Sequence, residues 1–290
     1  MSSPVFTSGT TTNEGCTLHY TTILPAAGET GKPPLMFVPG GAGHSSQFLD
    51  ILPYLNSKFQ PATYSRRQHG LSTPLPGTPF LYLNPAQQAR DILAVADALG
   101  FGDKKLYLFS SSGGGIISLQ LAATHPDRIA HLFAHETPCA ALLPDSEKVN
   151  DFLFSVYTAY IYEGAEAAYK IFLPQIPGYE GLPRLGGAAE GDEERFLKYE
   201  FLPLSIYTPD LRRVRENGVS VAFSYGKLSR DASFVRSTIE LASILGCHRY
   251  MVPGNHTGFR YEPEAFATEI LKAFAEMEEK ERMRSVNIGF

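Results

Sequence analysis

Tryptophan is absent from the 290-residue chain, and cysteine occurs only three times. Cys16, Cys139 and Cys247 form no Cys-x-x-Cys pair, which excludes the usual zinc and dithiol redox motifs and predicts neither metal nor organic cofactor. An odd, scattered set suits a reducing compartment better than a disulfide framework. No apolar run approaches the roughly 20 residues that a membrane helix needs. The opening MSSPVFTSGTTTNEG has no apolar stretch of the kind a secretory signal carries. These absences predict a cytoplasmic protein without a membrane partner. A basic stripe is missing too: the formal net charge of -5 is spread along the chain, which argues against nucleic acid. Neither an internal repeat nor a low-complexity tract is found.

What is present is an alternation of short β-branched or aromatic runs with longer helical patterns, which predicts an α/β fold with a mostly parallel central sheet flanked by helices. Strands are expected over Cys16 to Leu24, Pro34 to Val38, Pro61 to Ser65, Lys105 to Phe109, Ile129 to Ala134, Val219 to Ser224 and Arg249 to Val252. Between Asn84 and Leu99 lies a helix with Asn84 as cap, Pro85 in its first turn and Gly100 after its end. Further helices are expected from about Ile116 to Thr124, Ser233 to Leu245 and Glu262 to Arg284.

One segment breaks this rhythm. From about Leu143 to Asn217 no strand is evident and aromatics abound, with a Gly-rich stretch from Gly178 to Gly191 dividing it. The expected organisation is therefore a core at 15–142 and 216–284, an inserted helical lid at 143–215, and tails at 1–14 and 285–290. An aromatic lid would exclude water and shape a substrate pocket. His44 and the insertion's Tyr157, Tyr160 and Tyr207 are expected to contact a small-molecule substrate with apolar or aromatic parts.

The strongest local signal is Leu106-Tyr-Leu-Phe-Ser-Ser-Ser-Gly-Gly-Gly-Ile-Ile. A strand runs into a turn of small residues and then into a helix, the arrangement that holds a serine hydroxyl out in the open. Small residues are needed two before and two after that serine. Ser112 meets both conditions, with Ser110 before and Gly114 after, whereas Ser110 and Ser111 have Leu108 and Phe109 at the earlier position. Gly113 follows at the helix start, where its N–H would face a developing oxyanion. A phosphate-binding loop would require Gly-Lys-Ser or Gly-Lys-Thr after the glycines, and neither occurs.

With these residues in view, the chain resembles the α/β-hydrolase fold superfamily over nearly its whole length. The stretch from Phe109 to Ile117, then His125-Pro126, then His135-Glu136-Thr137-Pro138, is similar to a broad group with a His-Glu-Pro-like step after the next strand. Leu35-Met-Phe-Val-Pro-Gly-Gly-Ala-Gly resembles the oxyanion loop, which implies Gly41 as a second N–H donor. Tyr64-Ser-Arg-Arg-Gln-His-Gly-Leu-Ser resembles the Asp-x-Arg-Gly-x-Gly-x-Ser loop, with Ser65 in place of Asp and Gln68 in place of Gly.

The resemblance implies chain order Ser, acid, His. His256, in the turn after the last strand, is the expected base, with His44 and His69 as rivals in loops near the same sheet edge. Two carboxylates stand as the acid: Glu136, at the end of the strand after the nucleophile helix, and Asp231, in the loop after the next strand, which would otherwise cap the following helix. Hydrolysis of an ester, thioester or lactone through an acyl-enzyme is the expected reaction. A cyclase, lyase or C–C bond hydrolase of secondary metabolism on the same scaffold is the alternative. A catalytically inactive binding protein is a second, opposed by intact Ser112 and His256. The oligomeric state, a homodimer included, stays open.

Overall fold

The computed structural model describes residues 4–25, 31–183, 186 and 188–287. The outermost parts of the expected tails, 1–3 and 288–290, lie outside the described residues, as do Arg184, Leu185 and Gly187 of the Gly-rich stretch. Nine strands build one sheet: β1 (Phe6–Asn13), β2 (Cys16–Ile23), β3 (Pro34–Val38), β4 (Gln60–Tyr64), β5 (Thr73–Pro74), β6 (Leu106–Ser111), β7 (Ile129–His135), β8 (Ser220–Gly226) and β9 (Arg249–Val252). Their order is β1-β2-β4-β3-β6-β7-β8-β9, with β5 paired to β2. The pairs from β4 through β9 are parallel, and β1, β2 and β5 join antiparallel at one edge.

The expected N-terminal tail is corrected by β1. Its Thr-rich sequence carries no apolar face, and every second residue is exposed. Pairing with β2 along its whole length, from Phe6 opposite Ile23 to Asn13 opposite Cys16, holds it in place. The strand thus rests on ladder hydrogen bonds rather than burial, and hydrophobic periodicity does not register it.

The inner strands sort their side chains by the period of two. Met36, Val38, Leu106, Leu108, Leu132 and Ala134 enter an aliphatic cluster on one face. Their neighbours Leu35, Phe37, Phe109 and Phe133 enter a cluster on the other, together with Phe48, Phe59, Phe259, Phe266 and Phe274. A Gly113–Thr124 helix, apolar around its whole circumference and buried from Gly113 to Leu119, fills the aliphatic side. Beside it lies the Pro85–Ala98 helix, whose cap Asn84 accepts from the N–H groups of Ala86 and Gln87. The long Pro263–Asn287 helix covers the aromatic side through Phe266, Ile270 and Phe274.

Between β7 and β8 the described residues hold helices and no strand. The principal ones are Ser146–Glu163, Ala165–Phe172, Phe201–Ile206 and Leu211–Glu216. A single π-turn, Phe196–Glu200, precedes the third. These helices have a small core of their own around Leu153, Val156, Ala168, Leu197 and Phe201.

Candidate active site

Ser112 sits between β6 and the Gly113–Thr124 helix with φ 53° and ψ −127°, a region L-residues rarely occupy. Two backbone bonds fix it there: its N–H donates to the His135 carbonyl at 2.7 Å, and its carbonyl accepts from the Gly115 N–H at 2.8 Å. Packing explains the glycines that follow. A Cβ on Gly114 would lie 2.3 Å from the Val38 carbonyl oxygen, and one on Gly115 would lie 2.1 Å from Thr137 Oγ1. Gly40 presses on the serine from the other side, where a Cβ would meet that of Ser112 at 2.8 Å. The competing serine Ser110 is turned inward, its hydroxyl 2.6 Å from that of Ser118.

His256 follows β9 in a turn. Its Nδ1 lies 2.6 Å from Glu136 Oε2, and its ring sits 4.5 Å from the Phe234 ring. Asn255 braces the turn: its side chain accepts from the Thr257 N–H and donates to the Gly178 carbonyl at 2.6 Å. Glu136 is fully buried just past β7, at φ 49°. Its second oxygen accepts from the Gly226 N–H at 2.6 Å. Burial alone would raise this carboxyl, but the adjacent His135 and His256 outweigh it and hold it below the ordinary range. Burial in turn pushes His135 down to about 4, against the pull of Glu136. The carboxylate paired with the imidazole is therefore Glu136. Asp231, the other candidate, stands in an exposed turn before the Ser233–Leu245 helix, where its charge acts on Arg236.

Ser112, His256 and Gly41 line one cavity. Its walls are mainly apolar: Phe152, Leu153, Phe172, Phe196, Phe201, Leu204 and Phe234, with Cys139 beside them. None of the four residues expected to contact substrate lines this cavity. Tyr157 and Tyr207 border a separate outer groove. Tyr207 also donates to Gln120, and Tyr160 packs on the insertion's own core. His44 is buried, its Nδ1 2.6 Å from the Ser46 hydroxyl, and burial pulls it down to about 4. Among the described residues, phenylalanine rather than tyrosine faces the cavity.

The rival base His69 belongs to a buried charge network that sequence patterning does not disclose. Arg66, fully buried, donates from Nη1 to Glu200 Oε1 and from Nη2 to Glu200 Oε2, both at 2.7 Å. Nη1 also donates to Gln88 Oε1 at 2.7 Å. His69 Nε2 lies 3.1 Å from Glu200 Oε1, and its Nδ1 lies 3.5 Å from Asp192 Oδ1. Burial opposes charge on all three, but Arg66 and His69 draw Glu200 well down, contacts with His69 and Arg195 draw Asp192 to about 2, and the two carboxylates raise His69. The partners lie 134 residues apart for Arg66 and Glu200, a separation no local pattern spans. In the same loop Gln68 accounts for its departure from glycine: at φ 72° its side chain engages both the N–H and the carbonyl of Leu81. Ser65 Oγ accepts from the Ser45 N–H at 3.2 Å.

Among the described residues no group of three or more His, Cys, Asp or Glu is arranged to hold a metal ion, and no helix is long and apolar enough to cross a membrane.

Residues 33–178 match the family model described as alpha/beta hydrolase fold. The chain is 24% identical over 282 residues to the uncharacterized hydrolase YraK of Bacillus subtilis (strain 168), covering 94% of this chain and 97% of that one. Among solved structures it is similar to the enol-lactonase from Burkholderia xenovorans LB400, with TM-score 0.70 and 19% identity over 92% of this chain and all of that one. A thermophilic esterase from Thermogutta terrifontis is also similar, with TM-score 0.66 and 18% identity over 95% of this chain and 99% of that one.

Proposed function

The chain belongs to the α/β-hydrolase fold family and is a hydrolase, and from that premise we propose that it cleaves a carboxylic ester or lactone of a small, largely apolar metabolite through Ser112, His256 and Glu136. The observation that carries this reading is the 2.6 Å contact of Glu136 with His256 Nδ1, which leaves the second ring nitrogen available in the cavity that Ser112 lines.

In the proposed reaction Ser112 Oγ bonds to the substrate carbonyl carbon as the C=O π bond opens. The hydroxyl proton passes to His256 Nε2, and Glu136 stabilises the imidazolium. The N–H groups of Gly41 and Gly113 receive the oxyanion. Collapse expels the alkoxide, which takes the proton from His256, and water then releases the acid from the acyl-enzyme by the same route. Apolar walls favour a hydrocarbon acyl chain or ring over a charged one, because a charged group would lose its hydration there without a partner. The helices between β7 and β8 supply most of those walls and act as a lid in this reading.

A fluorophosphonate probe tests the assignment. Mass spectrometry of the labelled protein is expected to find the adduct on the Ser112 peptide, and Ser112→Ala is expected to abolish both labelling and hydrolysis of p-nitrophenyl butyrate. Labelling that persists in the variant overturns the reading. Hydrolysis in oxygen-18 water is expected to leave the label in the product acid, whereas a lyase or cyclase would leave it out.

A further inference from the structure

We propose that Arg66, clamped by Glu200 of the helical insertion, is a positioning residue that aims and polarises the Gly41 N–H toward the oxyanion; this rests on the serine-hydrolase reading above.

The inference starts from one peptide group. The Gly40 carbonyl and the Gly41 N–H belong to the same planar trans unit and so point in opposite directions. That carbonyl accepts three donors: Arg66 Nη2 at 2.6 Å, Arg66 Nε at 3.2 Å and the Gly43 N–H at 3.1 Å. Nε also reaches the Pro39 carbonyl at 3.0 Å. With its oxygen held from one side, the peptide presents its N–H on the other, where Gly41 borders the cavity with Ser112. Among the described residues that N–H donates to no protein acceptor. A guanidinium charge on the carbonyl also deepens the peptide dipole, which makes the N–H a stronger donor to negative charge.

The orientation of Arg66 is set in turn by the insertion. Glu200 ends the Phe196–Glu200 π-turn and takes both guanidinium arms. Phe196, at the start of that turn, lies against Gly41, where a Cβ would fall 2.7 Å from its ring. The same short turn therefore forms a cavity wall and, through Arg66, orients the donor. Arg66 stands one residue before the arginine of the loop that resembles Asp-x-Arg-Gly-x-Gly-x-Ser. The matching residue, Arg67, is instead bound to Asp91.

The test separates a ligand that forms an oxyanion from one that forms none. 1,1,1-Trifluoro-4-phenylbutan-2-one forms a hemiketal when a serine hydroxyl adds to its carbonyl and yields its proton to the histidine, leaving an oxyanion. The corresponding secondary alcohol has the same carbon and fluorine skeleton and forms none. The variant Arg66→Met with Glu200→Leu removes both charges at similar volume, a replacement that buried ion pairs often tolerate without loss of stability. Expected in this variant, folded by circular dichroism, is a ketone Ki raised about tenfold or more, with the alcohol Ki within about twofold of wild type. For p-nitrophenyl butyrate, kcat is expected to fall about as much as the ketone weakens, with KM nearly constant. Should the double variant not fold, Glu200→Gln is read by the same criteria. Parallel loss of both ligands, or loss of neither, overturns the inference while the serine reading stands. A wild-type protein that does not prefer the ketone, or a Ser112→Ala variant that binds it equally well, overturns both.

Discussion

Two non-glycine residues in glycine's usual territory define the proposed chemistry. Ser112 and Glu136 both have positive φ, each at a cost of roughly 1–3 kcal/mol that the surrounding bonds must offset. Glu136 is held by the Gly226 N–H on one oxygen and His256 on the other. Its amide analogue keeps the shape and loses the charge that an imidazolium needs. Glu136→Gln is therefore expected to lower kcat for p-nitrophenyl butyrate on the order of 10³–10⁴-fold, with fluorophosphonate labelling slowed in step. Asp231→Asn, in its exposed turn, is expected to leave both unchanged. Equal losses in the two variants would contradict the assignment of the acid.

Elements show how much a linear reading can carry. The buried strands and the Asn84-capped helix were legible because burial writes a period of two or 3.6 into the sequence, and the Ser112 turn was legible because its steric demands fall on adjacent positions. The exposed β1, whose pairing is made by backbone, left no such trace. Nor did the phenylalanine walls, since an aromatic facing a cavity and one facing a core read alike. His256 and Ser112 could be singled out by position relative to strands, whereas choosing between Glu136 and Asp231 required the side-chain direction at the end of β7. The glycines after Ser112 offer a test at this scale. A Cβ on Gly114 meets only backbone, at Val38 and Pro39, whereas one on Gly113 meets the flexible end of Leu204. Gly114→Ala is thus expected to destabilise by roughly 1–3 kcal/mol, and by more than Gly113→Ala, in urea unfolding followed by circular dichroism. A reversed ranking would show that the Val38–Pro39 backbone yields more readily than the packing implies.

At the scale of the whole molecule, the charge network ties the insertion to the core and gives stability a definite pH profile. Asp192, drawn to about 2, and Glu200, drawn well below its ordinary value, lie under their unfolded values of about 3.9 and 4.3. Their contribution is complete above those unfolded values and disappears as the pH falls toward the folded ones. His69 is displaced upward, so its contribution is complete below about 6.5 and is lost as the pH rises through its folded value. Tm is therefore expected to show a plateau with an acid and an alkaline shoulder. Asp192→Asn should flatten the first and His69→Gln the second, as followed by thermal melts across the range. Profiles unaltered by either change would separate the network from the pH dependence.

The Ser112 N–H bond to the carbonyl of His135, the residue before Glu136, has a mechanical consequence. In the proposed triad, attacking group and carboxylate are thus tied together through neighbouring strands. The imidazole alone hangs from a separate support beyond β9. Under the proposed triad, a change in the turn at 253–258 is therefore expected to detune turnover while leaving the Ser112–His135 joint in place.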